Sequence, residues 1–362
     1  MRSLRSLLFV LLAALALLVA APVASASHET PAKGKKAKAQ LKRVPPVKGV
    51  LKAKIGIADQ KADLFTDPRF LALRLTLARR SVAWDAMEYD WQVADLDEWM
   101  FAARIAGVRP LITWARSRID TRRHMKPTAA QIRTGFLKFR ARYPWVTDFV
   151  ASNESNHFGE PTGRSPKLAA QHYKAMRSAC RTCKIAAATL FEQPNMVKWA
   201  KEFIRHAKVR PKYWALHNYV SANRFQVDRT RELLAAVKGE IWLTEVGGLV
   251  KRRTRNVPGK VKLREGTSHA AQVTRYIFDH LARVSPRITR VYLYHWNAGG
   301  PRSTWDSGLV AEDGRPRPAF TVFVNALKAI RSGKAPKSKP PKAGKRAPKG
   351  KKKVTVGGEI PA

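Results

Sequence analysis

The sequence predicts an α/β fold of one kind, a (β/α)8 TIM barrel. Three observations point to it. Eight short apolar runs recur through the middle of the 362-residue chain. Stretches with helical spacing of apolar residues lie between most successive runs. Glutamate, asparagine, histidine and tryptophan side chains gather where the runs end. Strand then helix, repeated, gives parallel strands joined by right-handed crossovers. A closed barrel is the simplest arrangement of eight such units. A doubly wound open sheet is the alternative, but no Gly-rich dinucleotide or phosphate loop follows any run.

The runs come in this order. The first is Ile55–Ala58, and the second, Arg79–Trp84, ends in Trp84-Asp85. Leu96, Trp99, Met100 and Ala103 then repeat at helical spacing before the third run, Val108–Trp114. The fourth, Phe149–Glu154, ends in Asn153-Glu154. A second helical pattern through Leu168, His172, Tyr173 and Met176 leads to the fifth run, Lys184–Thr189. The sixth, Tyr213–Tyr219, ends in His217-Asn218-Tyr219, the seventh is Ile241–Glu245, and the eighth, Val291–Trp296, is followed by Asn297.

A carboxylate is costly to bury at a strand end, yet Glu154 and Glu245 each close an apolar run. In a barrel of this type the C-terminal strand ends are where chemistry is done. Two carboxylates there suit an acid and a nucleophile facing one substrate bond, with the carboxyl groups roughly 5 Å apart in one cleft. Capping of neighbouring helices is the plainer reading for either glutamate alone; the pair in this setting favours chemistry. Sugars offer apolar CH faces and many hydroxyls, and aromatic platforms with convergent polar groups hold them. Trp84, Trp114, His217, Tyr219 and Trp296 supply that mixture, although any one of the tryptophans alone reads as core.

The remainder of the chain sets bounds. Arg2 and Arg5, the apolar stretch Leu7–Ala21 and the small residues Ala24-Ser25-Ala26 form a secretory signal peptide over residues 1–26. The apolar stretch is short for a membrane anchor, and no stop-transfer pattern follows it. Residues 27–54 are a basic disordered linker and residues 331–362 a Lys/Pro-rich disordered tail, because neither has enough large apolar residues to fold. The barrel domain is then 55–330. The formal net charge is +43. Within 55–330, 47 Lys and Arg stand against 24 Asp and Glu, a net of +23. Such a surface attracts polyanions. Nucleic acid is one candidate, but no groove-reading module is present. An anionic cell wall or capsule is favoured for an exported, cell-wall-associated or extracellular protein. Cys180 and Cys183 read as a local disulfide tying a helix end to the next strand, rather than as a redox pair or a zinc site.

On these residues the core resembles a clan A retaining glycoside hydrolase of the 4/7 barrel superfamily. The motifs are Asn153-Glu154 at strand four, His217-Asn218-Tyr219 at strand six, Ile241-Trp242-Leu243-Thr244-Glu245-Val246-Gly247 at strand seven and Trp296 at strand eight. The loop from Asp306 to Leu309 and the stretch Asp313 to Ala319 are similar to the clan's strand-eight loop and last helix. The clan often has Trp-Asn-Glu-Pro around the acid, whereas this chain has Ser152-Asn153-Glu154-Ser155. β-Glucanase-like and xylosidase-like cores resemble it most.

The resemblance implies Glu245 as nucleophile and Glu154 as acid/base. Asn153 would hold the sugar 2-hydroxyl, Tyr219 would donate to Glu245, and Arg79 would keep Glu245 ionised, unless Arg79 or Arg80 merely faces solvent. Burial and nearby negative charge would raise the pKa of Glu154. The chemistry calls for no cofactor and no metal. A barrel that keeps its cleft but binds anionic wall polysaccharide with little or no turnover is the competing reading.

Overall fold

The structure is a computed structural model and describes residues 49–253 and 263–334. The expected signal peptide, most of the expected linker and the tail beyond Lys334 lie outside the described residues. The fold starts slightly before residue 55, because Leu51 and Ala53 are already buried in the core. It runs on to the last helix, which ends at Arg331.

In chain order the elements are β1 (Lys54–Ala58), α1 (Pro68–Ala72), β2 (Leu77–Ala83), α2 (Asp90–Ile105), β3 (Arg109–Ala115), α3 (Ala129–Arg142) and β4 (Asp148–Val150). Then come α4 (Pro166–Ala179), β5 (Lys184–Ala186), β6 (Thr189–Phe191), α5 (Met196–Ala207), β7 (Tyr213–His217), α6 (Tyr219–Asn223) and α7 (Asp228–Ala236). The last are β8 (Glu240–Val246), β9 (Lys251–Arg252), α8 (Thr267–Asp279), β10 (Ile288–Tyr294), β11 (Trp305–Asp306) and α9 (Pro318–Arg331). Helix starts follow local chemistry. Thr128 and Gln131 form a capping box on α3, and Ser165 caps α4 ahead of Pro166 at its first position.

Nine strands form one sheet in the order β5-β4-β3-β2-β1-β10-β8-β7-β6, with parallel pairing throughout. The two end strands are halves of one barrel position. Ala187 and Ala188 separate them; the Ala187 amide donates to Tyr213 O (2.9 Å) and the Ala215 amide donates to Ala188 O (3.1 Å). β5 thus pairs with β4 and β6 with β7, which closes a (β/α)8 TIM barrel. Each of the eight apolar runs falls on one barrel position. The fifth is split, and the fourth is shorter than the run suggests, because the chain leaves the sheet after Val150 and turns through Glu154.

The core has two layers. Ala58, Leu77, Leu111, Val150, Ala186, Ala215, Trp242 and Tyr292 fill the barrel interior, one from each strand position. The large Trp242 and Tyr292 balance three alanines, as filling a narrow lumen requires. The residues that alternate with these pack outward against the helices. Cys180 caps α4 and forms a disulfide with Cys183, just before β5, with the Cα atoms 5.4 Å apart.

Candidate active site

Pleating sorts the two arginines of β2. Leu77 points into the lumen, so Arg79 does as well, and Arg80 points outward. Neither faces solvent. Arg80 pairs with Asp95 (2.6 Å) and its guanidinium lies 5.8 Å from the centre of the Trp99 ring. Arg79 is 2% exposed and spends every arm on the site. Its Nε donates to Thr113 Oγ1 (2.9 Å), one terminal nitrogen donates to Asn153 Oδ1 (2.9 Å), and the other is ion-paired with Glu245.

Glu245 reaches the lumen through an irregularity. Alternation from Trp242 would send it outward with Leu243. On one side Leu216 pairs with Leu243 and His217 pairs with Glu245, passing over Thr244. On the other, Val291 pairs with Leu243 and Leu293 with Val246, again with one extra residue on β8. This bulge re-aims the side chain, as bulges beside functional sites do. Tyr219 then donates its hydroxyl to Glu245 Oε2 (3.3 Å).

Glu154 is presented by a turn. Its φ is +35°, in the left-handed region that non-glycine residues enter at a cost of about 1–2 kcal/mol. Backbone bonds hold the turn on both sides. The Asn153 amide donates to Trp114 O (2.7 Å), the Ser155 amide to Thr189 O (2.8 Å) and the Thr189 amide to Ser152 O (2.8 Å).

His217, at the end of β7, joins the two glutamates. Its Nδ1 is 3.0 Å from Glu154 Oε1 and its Nε2 is 3.4 Å from Glu245 Oε1. Burial pushes its pKa down to about 3; Arg79 adds to this while Glu245 opposes it. The ring is therefore neutral and carries one proton. The two carboxyl groups thus face each other across a single uncharged imidazole. Burial also raises Glu154, against the attraction of His157, Arg79 and Arg116. Of the two causes expected from the sequence, burial acts and the neighbouring negative charge does not. Tyr294 completes this end of the lumen, and its pKa is raised by burial first and then by Glu245, Asp59 and Glu154.

Arg79, Asn153, Glu154, His217, Tyr219 and Glu245 thus converge. The three tryptophans do not act as the platforms expected. Trp296 is fully buried, donates to Asp67 (2.9 Å) and meets Phe70 and Phe320 edge-on. Trp114 packs against Phe136, Phe139 and Phe149 beneath the outer helices. Trp84 is buried beside it, under the Arg122 guanidinium. A ring spent on core packing has no face left for a sugar. The aromatic wall near Glu245 is instead Tyr219, Tyr294 and Trp305, with the Tyr219 and Trp305 ring centres 4.7 Å apart. Sequence reasoning missed Thr113, Tyr294, Trp305 and Glu160. Tyr294 was within reach, since it lies two residues from the end of the eighth run. Glu160 gave no signal, being a loop residue that burial beside Arg116 (3.7 Å) pushes up to about 8.

Two expected results arise here. Replacing Arg79 with Met leaves Glu245 buried without its counter-charge. Breaking a buried pair from one side typically destabilises by about 3–5 kcal/mol. Urea denaturation should show a loss of that size; a change below about 1 kcal/mol would contradict the assigned pairing.

The second concerns Glu192, which follows β6 and anchors the segment carrying Tyr219. It accepts from the Ser221 amide (2.8 Å) and from the Ser221 hydroxyl. Burial raises its pKa from 4.5 to about 7, with the Ser221 bonds opposing the shift. A carboxyl raised in the fold stabilises fully below its unfolded pKa and loses that contribution as pH rises through its folded value. Glu192→Gln should remove this component. The stability difference between wild type and variant should change by on the order of 2–3 kcal/mol between about pH 4.5 and 7. The buried histidines act in the opposite direction but are common to both proteins. A pH-independent difference would contradict the assignment.

A parallel barrel with paired carboxyls at its C-terminal face is the architecture of barrel glycosidases. The chain belongs to the glycosyl hydrolase catalytic core family, whose model matches residues 128–323. No curated protein shows significant sequence similarity to it. Among solved structures it resembles an endo-1,4-beta-xylanase from Caldicellulosiruptor owensensis, at 13% identity and TM-score 0.55, over 77% of this chain and all of that one. It also resembles a GH5_18 protein from Streptomyces cattleya in complex with GlcNAc, at 16% identity and TM-score 0.55, over 81% and 83% of the two chains. A glucosidase from Croceicoccus marinus matches at 12% identity and TM-score 0.55, over 79% and 69%. These likenesses establish the shared barrel.

Proposed function

We propose that the protein is an exported, retaining O-glycoside hydrolase that cleaves a β-linked polysaccharide or oligosaccharide by double displacement. The observation that carries this reading is the pair Glu154 and Glu245 in contact with one neutral His217 ring, with Arg79 and Tyr219 on Glu245. In the first step the Glu245 carboxylate attacks the anomeric carbon while Glu154 gives its proton to the departing glycosidic oxygen. In the second, Glu154, now ionised, takes a proton from water. That water displaces Glu245 and restores the original configuration. The burial that raises Glu154 favours the protonated form a general acid needs. Activity should therefore persist above the ordinary carboxylate range and fall as pH rises through the Glu154 pKa. Asn153, held by Arg79, would bind the sugar 2-hydroxyl. The basic segments outside the barrel would retain the protein on an anionic wall, an attraction that weakens as salt rises.

The test is a panel of β-glucans, xylans and their aryl glycosides, read by proton NMR for the first-formed anomer. Initial release of the β-anomer supports retention; initial release of the α-anomer would overturn it. Salt-sensitive polysaccharide binding with no turnover on any member would favour the binding-protein reading, which the +43 charge supports.

A further inference from the structure

The end of the barrel opposite the glutamates carries a concave surface. It is a groove of about 510 Å³, large enough for a segment of a small ligand or polymer. Its lining includes Lys54, at the start of β1, Arg74, in the turn before β2, Arg109, at the start of β3, and Arg331, at the end of α9. The apolar part of the lining is Leu75 and Leu327, both largely buried, and the half-buried Ile330. Arg331 is fixed in place by donating to Leu73 O. Arg109 has one carboxylate near it, Asp148 at 3.8 Å, and its side chain stays 42% exposed. Among the described residues no carboxylate lies within ion-pair distance of Lys54, Arg74 or Arg331. The groove is thus strongly cationic, with charge presented to solvent rather than neutralised.

The two basic segments join the barrel at this same face. A Cβ at Gly333 would sit 3.8 Å from Val50, so the first and last described residues of the barrel lie side by side. Residues 27–48 carry seven Lys and Arg against one acid, and 335–362 carry nine against one. Both basic segments are therefore attached to the barrel at one end, and the acid/base pair lies at the other.

We propose that this groove is a docking site for a carboxylate-bearing polysaccharide, distinct from the chain that the catalytic face would cleave. Guanidinium groups form paired, charge-assisted bonds with carboxylates. The half-buried Ile330 in the lining offers a small apolar patch for the CH faces that accompany the carboxylates along a polyuronate. Single-stranded nucleic acid is the poorer fit, since its bases seek aromatic stacking surfaces, and no aromatic residue lines the groove. Docking at the N-terminal end leaves the glutamates facing away from the anchoring polymer. Anchoring and turnover are then simultaneous, and the anchor does not compete with a soluble substrate.

The test uses the full chain with polygalacturonate as probe, at about 0.1 M salt where exposed charges are screened beyond about 10 Å. The groove variant is Lys54→Gln with Arg74→Gly; glycine suits the left-handed backbone at Arg74, where φ is +47°. The control, Lys174→Gln with Lys201→Gln, removes the same charge from α4 and α5. The groove variant should bind about tenfold more weakly, the equivalent of ~1.4 kcal/mol, while the control stays close to wild type. Equal weakening in both would show that net charge alone acts, and no weakening in either would place all binding outside the groove. Tighter groove-dependent binding of a DNA oligonucleotide or of inorganic polyphosphate would reassign the ligand. Each of these results overturns the proposal. If the double variant unfolds, Lys54→Gln alone provides the same comparison. The binding readout needs no turnover, so the groove and the glycosidase reading can fail separately.

Discussion

Glu245→Gly abolishes turnover of natural and activated substrates alike, with a loss on the order of 10⁴–10⁶-fold, the scale seen when an enzyme loses its covalent nucleophile. Glu245 holds this position through three features: the bulge on β8, the Arg79 ion pair and the Tyr219 hydroxyl. Removing its carboxylate opens space beside the anomeric carbon on the face where it attacked. Azide can occupy that space and attack an activated aryl β-glycoside directly. One displacement inverts, so the product is the α-glycosyl azide, identified by NMR. Glu245→Gly also leaves Arg79 buried without its counter-charge, so the fold should lose about 3–5 kcal/mol, as for Arg79→Met, and turnover is compared on protein shown to be folded.

Glu154→Ala gives a loss that depends on the leaving group. Proton transfer is worth roughly 10²–10⁴-fold. With a poor leaving group, such as a second sugar, the whole of that factor is lost. A dinitrophenolate departs with little protonation, so the covalent intermediate still forms. Its hydrolysis then stalls, because no base activates the water, and a pre-steady-state burst of phenolate appears. Azide needs no base and restores turnover, giving the β-glycosyl azide. An α-azide from this variant would exchange the roles of the two glutamates. The rise of Glu154 by burial also predicts that this variant loses the alkaline limb of the wild-type pH profile.

Much of this was legible in the sequence. Each of the eight apolar runs falls on a barrel position, because buried parallel strands are read directly as short hydrophobic stretches. The placing of Arg79 inside the lumen follows from pleating once Leu77 is known to face inward. Other features were not legible. The bulge that turns Glu245 inward is set by pairing with two neighbouring strands, and Thr244-Glu245-Val246 shows no local sign of it. The left-handed turn at Glu154 rests on backbone bonds from β3 and β6, which are distant in sequence. The tryptophans misled for a related reason. Trp84, Trp114 and Trp296 do lie at strand ends, but the rings face the helical layer, and the side a ring takes depends on helices distant in the sequence. Tyr219, Tyr294 and Trp305 form the aromatic wall instead, and Trp305 lies on the short strand β11, beyond the eighth run.

The most direct test of the double-displacement account is covalent trapping. A 2-deoxy-2-fluoro-β-glycoside with a dinitrophenyl leaving group, matched to the sugar found in the substrate panel, slows both steps and the second more. Intact-protein mass spectrometry should show one added fluoroglycosyl group per chain, and peptide mapping should place it on Glu245. A label on Glu154, or on any other residue, would contradict the assignment of Glu245 as nucleophile. Full turnover of a good substrate with no label, alongside release of the α-anomer, would contradict the double displacement itself.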